Sequence, residues 1–202
     1  MIWAKALRSL AQAGLTYGES PFDHERYRKV QAIAAEMMAR GADVEPDVTM
    51  ANFERARGYE TPKVDVRGVV LKDGKILLVR ELLDGGRWTL PGGWADVNDR
   101  PSEAVEREVR EESGYQVTAT KLLAVYDRRL HGHRPPHPYG IYKLFFRCRL
   151  LGGAPKGSIE TDEAKFFAEA AIPELSMART TPEEIARFFE HARHPDWPTD
   201  FD

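Results

Sequence analysis

Three glutamates, Glu108, Glu111 and Glu112, stand at spacing i, i+3, i+4. On an α-helix that spacing puts them on one arc of about 100°. Glu108 has Ala104 and Glu112 as its i±4 neighbours, so neither is a cation. Like charges at this spacing destabilise a helix by about 0.2–0.5 kcal/mol per pair, and each raises the pKa of the other. Glu112 also lies near the apolar edge formed by Val105 and Val109, where charge is costlier. A hard divalent cation would turn these liabilities into a site, since carboxylate oxygens are the ligands it takes. The alternative is a charged helix tucked under a basic strand. Gly92-Gly93, just ahead of the helix, allows close backbone approach and leaves carbonyls and amides for a metal or a phosphate.

Other elements must position this helix, expected over Pro101–Ser113. On its far side Glu103 with Arg107 and Glu106 with Arg110 form i,i+4 pairs of an ordinary solvated surface. Residues 64–71 read as a strand, Asp73-Gly74 as a tight turn, and 76–79 as the hairpin partner. Trp88–Leu90 is a short strand before the glycines, and further strands are expected over 115–127, 141–150 and 164–167. Thr181, Pro182 and Glu184 make a capping box for a last helix with Ile185, Phe188, Phe189 and Ala192 on its buried face.

Before residue 60 the pattern is helical. Trp3, Leu7 and Leu10, with Ile2, Ala6 and Ala13, define a first helix; Phe22, Val30, Ile33 and Met37, with Tyr27 and Ala34, define a second that Gly41 stops. A short third helix is expected over Val48–Arg57, and Gly58–Pro62 reads as a linker. Three short helices bury little by themselves, so they should pack on the rest of the chain or on a second subunit. The expected division is 1–60, a helical domain for packing or dimerisation, and 61–202, an α/β (α+β) domain.

The chain has 202 residues, 42% hydrophobic and 30% charged, with formal net charge -3. That is enough apolar content for a packed core, and too little basic excess for a dedicated nucleic-acid binder. The single cysteine, Cys148, excludes an intramolecular disulfide and a Cys-based zinc site. No run approaches the roughly 18–20 apolar residues of a membrane span. The N-terminus is basic and without acids until Glu19, but Lys5 and Arg8 break its apolar run. A cytoplasmic protein is expected.

The segment from Gly93 to Tyr115 resembles the Nudix box, G-x5-E-x7-R-E-U-x-E-E-x-G-U, where U is bulky and apolar. Gly93, Arg107, Glu108, Val109, Glu111, Glu112 and Gly114 match in register. Asp99 stands where the pattern has its first Glu, one methylene shorter, and Tyr115 fills the last apolar position. Outside the box, residues 10–39, WTLPGGWADV, the stretch 126–148 and the stretch 159–185 are similar to a bacterial Nudix subgroup with an N-terminal helical domain. CDP-choline pyrophosphatases are its best-known members, one of them also a 3′→5′ RNA exonuclease; others are called ADP-ribose pyrophosphatases.

The resemblance implies a Nudix-type α/β/α sandwich with a mixed sheet, and hydrolysis of a nucleoside diphosphate linked to a second group. It implies Mg²⁺, with Mn²⁺ as an alternative, on Glu108, Glu111 and Glu112, with the Gly92 carbonyl. It makes Arg107 the orienting cation, with Asp99 as partner. A further carboxylate is expected from a distant loop, as ligand or general base: Glu160 or Glu163. Glu160 has the spacing before Phe166 at which other members place such a ligand. His133 and Arg134, flanked by His131 and His137, read as a mobile substrate loop, with zinc or a solvated loop as alternatives. Arg67, Arg80 and Lys143 are candidates for reaching the diphosphate. The substrate expected first is CDP-choline, giving CMP and phosphocholine; ADP-ribose, short single-stranded RNA and a non-catalytic nucleotide sensor are the alternatives. A homodimer without membrane contact is expected.

Overall fold

A computed structural model describes residues 2–42, 49–51, 53 and 58–202. Contacts divide the chain into two units: Met1–Pro62 with Pro136–Gly140, and Lys63–Pro135 with Ile141–Asp202.

In the first unit, α1 (Ile2–Tyr17) packs on α2 (Pro21–Ala42) through small residues, Ala4 against Ala34 and Ala35, with Met38 and Phe53 closing the cluster. Of the apolar residues that define the two helices, Leu7, Val30 and Met37 are half-buried, but several large ones are not covered within the chain. Trp3, Leu10 and Tyr17 on α1 and Phe22 and Ile33 on α2 are exposed, and Ala4, Arg8, Ala11 and Gln12 are buried instead. Alanines let two helices approach closely, which pushes the bulky stripe to the outside. Arg8 is buried because the rings of Phe53 and Tyr139 sandwich its guanidinium at 4.4 and 4.8 Å and Glu60 pairs with it. The second helix continues past Gly41 to Ala42. The helix expected over 48–57 lies for the most part outside the described residues; 49–51 and 53 are helical.

The second unit is built on β1 (Lys63–Lys72), β2 (Lys75–Glu81), β3 (Trp88–Thr89), β4 (Gly92–Trp94), β5 (Tyr115–Asp127), β6 (Ile141–Gly153), β7 (Thr161–Ala168) and β8 (Asp200–Phe201), with α3 (Pro101–Ser113) and α4 (Pro182–Arg193). The sheet runs β3-β2-β1-β6-β5-β8, with β4 on β1 and β7 on β2. It is mixed: β1 and β6 are parallel, as are β5 and β8, and the other pairs are antiparallel.

Both faces are covered. Period-2 alternation sends Val66, Val70, Leu77, Val79 and Phe146 to the side of α3, where Val105 and Val109 pack. It sends Val69, Ile76, Leu78 and Phe145 to the side of α4, where Ile185, Phe188 and Phe189 pack. The β1–β2 turn has Asp73 and Gly74 both at positive φ, 51° and 71°, as a two-residue hairpin requires. The capping box at Thr181 and Glu184 forms in full; His191 takes the buried place expected for Ala192, which is half-buried. Gly68 lets α3 lie close on β1: a Cβ there would sit 2.5 Å from Val109.

Candidate active site

The helix α3 starts on Pro101 and ends on Gly114, whose left-handed φ of 76° lets its N–H close on the Arg110 carbonyl. Val105, Val109 and Glu112 follow one another at i, i+4, i+7, so the stripe that buries the valines also buries Glu112, which is only 6% exposed. The Gly92 N–H donates to its Oε2 at 2.8 Å; its Oε1 takes no hydrogen bond among the described residues. Burial drives the Glu112 carboxyl up to about 8, against the opposing field of Arg67 and the Gly92 N–H, and the charges of Glu81 and Glu108 push the same way as burial.

Gly92 has φ 143°, and a Cβ there would overlap the Val66 carbonyl at 2.0 Å; at Gly93 a Cβ would stand 2.9 Å from Glu108 Oε2. Only glycines admit this approach of loop to carboxylates. Glu108 is also raised by burial, opposed by Arg107. Arg107 donates to Glu108 at 2.8 Å and to Glu111 at 3.2 Å, while its other nitrogen reaches Asp99 at 3.3 Å and Asp96 at 3.4 Å. Asp99 therefore spans the distance to the box arginine despite its shorter side chain. The helical pairs expected on the far side give way to other partners: Glu103 pairs with Arg100, and Glu106 accepts from Thr118 and the Ala119 N–H.

Among the described residues no three His, Cys, Asp or Glu side chains are arranged to hold an ion as they stand. Arg107 instead bridges Glu108 and Glu111. The donor chemistry still fits a hard divalent cation: all three groups are carboxylates, and the raised carboxyls of Glu112 and Glu108 mark a shortage of positive charge that a cation relieves.

The two loop carboxylates part company. Glu160 is exposed and its backbone is pinned, its carbonyl accepting from the Leu82 N–H at 2.9 Å and its N–H donating to Ser158 at 3.1 Å. Its charge reaches Glu81, a buried acid at the end of β2 whose carboxyl burial raises. Glu163 lies on β7 and pairs with Arg80 and Lys165.

The expected substrate cations fall in three places. Arg80 is held by Asp162 at 2.8 Å and by Glu163. Arg67 and Lys143 do not point into a cleft: they are 5% and 1% exposed and share Asp65. Arg67 also donates to the Leu90 carbonyl at 3.1 Å, and Lys143 to the Arg179 carbonyl at 2.7 Å. Both stand on the strand face that α4 covers, which leaves these two cations no solvent side. His133 is likewise no loop ligand; its side chain is buried and bonded to Glu184 of the capping box at 2.9 Å, so it braces the start of α4. His131 stacks on Tyr126 and bonds Asp202 at 2.7 Å, and His137 lies in the 136–140 segment of the first unit. Arg134 is exposed, and among the described residues no carboxylate pairs with it.

Sequence reasoning missed Asp65, Glu81 and Arg179. Asp65 and Arg67 at i, i+2 share one strand face, which is a signal of a buried pair once both faces are known to be covered. Arg179 carries no such signal: it pairs with Glu81 at 3.2 Å and with Asp84 at 3.7 Å, both distant in the chain.

The chain is similar to known proteins along its whole length. A NUDIX domain family model matches residues 61–191, and a model described as a UDP-X-like, N-terminal oligomerisation domain matches residues 1–53. A putative ADP-ribose pyrophosphatase of Bacillus subtilis (strain 168) is 43% identical over 199 residues, 98% of this chain and 95% of that protein. The crystal structure of a UDP-X diphosphatase is 30% identical with a TM-score of 0.64 and covers 100% of this chain and 97% of its own. An ADP-ribose pyrophosphatase from Streptococcus suis is 38% identical with a TM-score of 0.64, over 70% of this chain and all of its own. Among the described residues, no helix is long and apolar enough to cross a membrane.

Proposed function

Because the chain belongs to the Nudix family and is a pyrophosphohydrolase, we propose that it cleaves a nucleoside diphosphate linked to a sugar or alcohol, with ADP-ribose the leading substrate and CDP-choline its rival. The relatives named for ADP-ribose favour the first. The relative named UDP-X diphosphatase, matched along the whole chain, keeps pyrimidine nucleotides in the comparison.

One observation carries the reading: Glu112 is buried, held at one oxygen by the Gly92 N–H, and short of positive charge beside Glu108 and Glu111. We assign Glu108, Glu111 and Glu112 as ligands of Mg²⁺, or Mn²⁺ in its place, with the Gly92 carbonyl and Glu160 completing the donors. Nudix hydrolases generally use divalent metals; the ion supplies Lewis-acid polarisation of the diphosphate and an activated water. The chain's own groups do the positioning. Arg107 keeps Glu108 and Glu111 together and ties them to Asp99. Gly92 orients Glu112, and the backbone of Glu160 is pinned by Leu82 and Ser158, which supports a fixed position for that loop carboxylate. Glu163, committed to Arg80 and Lys165, serves the β2–β7 edge. Arg134 remains a candidate for the substrate.

The test is hydrolysis of ADP-ribose, CDP-choline, UDP-linked sugars and short single-stranded RNA, with and without Mg²⁺, following AMP, CMP or UMP. Turnover of ADP-ribose that needs the metal is expected, and no turnover of any of them would overturn the reading.

We further assign the α1–α2 unit to self-association with a second copy. Trp3, Leu10 and Tyr17 recur every seven residues and are 78%, 66% and 67% exposed, a stripe too apolar to leave in water. The matching oligomerisation-domain model supports this. Sedimentation of a Trp3→Ser, Leu10→Ser double variant should show monomer where the unaltered protein shows dimer; equal masses would refute it.

A further inference from the structure

We propose that Arg179 is the residue that grips the substrate's diphosphate, delivered to the site by a loop whose carbonyls are tied to buried cations. This rests on the pyrophosphohydrolase reading above.

A diphosphate entering a site rich in carboxylates needs an arginine or lysine with capacity to spare. Arg67 and Lys143 are sealed in the interior on Asp65. Arg107 faces four carboxylates at once, and Arg80 is held in a two-pronged pair with Asp162. Arg179 differs. Its side chain is 30% exposed, and its contacts are single and long: 3.2 Å to Glu81, 3.7 Å to Asp84 and 3.3 Å to the Ser176 hydroxyl. Glu81 ends β2, and the next residue, Leu82, donates its N–H to the Glu160 carbonyl at 2.9 Å, so Arg179 is paired beside the loop that carries the carboxylate assigned above to the metal. Its second partner, Asp84, lines a recess of about 740 Å³ walled by Arg87, Arg134, Leu175 and Met177. A volume of that order takes a nucleoside or a sugar. A diphosphate gripped by Arg179 would thus have room nearby for an attached group.

The loop that carries Arg179 is anchored beyond what a strand-to-helix connection requires. Three successive carbonyls each receive a donor. Met177 O accepts from the Arg134 N–H at 3.0 Å, Ala178 O from Arg128 Nε at 3.2 Å, and Arg179 O from Lys143 Nζ at 2.7 Å. Next to them Thr180 bonds Thr89 through their hydroxyls at 2.8 Å. Burying Lys143 and Arg128 is costly, and what they fix is the backbone from which Arg179 projects. Lys143 therefore serves the diphosphate as a positioning residue, acting through Arg179. A planar guanidinium matches two phosphate oxygens at once, which a lysine ammonium at this place would not.

The experiment compares Arg179→Ala and Arg179→Lys with the unaltered protein. Both leave the backbone contacts of the loop in place. Two readouts are taken: KM and kcat on whichever substrate the panel identifies, and binding of inorganic pyrophosphate with Mg²⁺ by calorimetry. Arg179→Ala should raise KM and weaken pyrophosphate binding about tenfold or more, with a smaller effect on kcat; Arg179→Lys should recover part of both. Unchanged KM and pyrophosphate binding in both variants would overturn the proposal. So would a fall in kcat alone, which would make Arg179 a prop for Glu81. If Arg179→Ala does not fold, Arg179→Lys decides by the same two readouts. Pyrophosphate binding needs no substrate, so its outcome stands apart from that of the substrate panel.

Discussion

Asp65 and Glu112 are two buried carboxylates within the field of one guanidinium, that of Arg67, and they are driven in opposite directions. Burial would raise both. At Asp65 the charges and hydrogen bonds of Arg67 and Lys143 outweigh it and hold the carboxyl at about 2. At Glu112 the more distant Arg67 and one backbone N–H do not, and the carboxyl rises to about 8. The number of direct cationic partners decides the difference: two at Asp65, none at Glu112. A buried acid fully matched by its own chain is architecture, and a buried acid left short of charge is a place for something the chain does not supply.

Substitution should separate the two sharply. Glu112→Gln is expected to lower kcat on the order of a thousandfold, the loss of several kcal/mol of metal-borne stabilisation. The same change should leave the metal-free protein as stable as before or more so, because a neutral amide no longer asks for buried charge. Asp65→Asn should do the reverse in kind. It leaves Arg67 and Lys143 buried without their counter-ion and should cost about 3–5 kcal/mol of stability in denaturant titration. Wild-type turnover in Glu112→Gln, or wild-type stability in Asp65→Asn, would erase the distinction.

The same contrast explains what could be read in the chain. The acids of α3 were legible because helical spacing alone puts Glu108, Glu111 and Glu112 together, and Gly92-Gly93 announced the loop beside them. The Asp73-Gly74 turn and the Thr181 capping box were legible for the same reason: each is complete within a few residues. The Asp65 cluster was not. Alternation along β1 reads Asp65 and Arg67 as one face of a strand but does not say that this face lies under α4. Lys143 stands beside Asp65 through the parallel register of β1 and β6, which only the fold sets. His133 meets Glu184 fifty-one residues on, and Arg179 meets Glu81 from a loop with no pattern. On α1, periodicity gave the helix and its bulky stripe, but not that close packing of alanines would cover the neighbouring side within the chain and leave Trp3 and Leu10 outside.

The smallest expected effect is also the one that tests both acids in a single series: the stability of the metal-free protein against pH. Asp65 has its folded value below its ordinary 3.8, so its contribution is present above that pH and disappears as pH falls toward about 2. Glu112 has its folded value above its ordinary 4.5, so the stability associated with its neutral form is complete below 4.5 and is lost as pH rises through about 8. Together they place the stability maximum of the metal-free protein on the acid side, with a decline of a few kcal/mol at most between pH 5 and 8. Mg²⁺ favours the ionised carboxylate, so it should raise the melting temperature more at pH 8 than at pH 5. Glu112→Gln should flatten the decline above pH 5 and shrink the Mg²⁺ effect, while the loss of stability below pH 4 stays. A Mg²⁺ effect equal at both pH values, or a slope above pH 5 that survives Glu112→Gln, would mean that the charge shortage lies elsewhere than at Glu112.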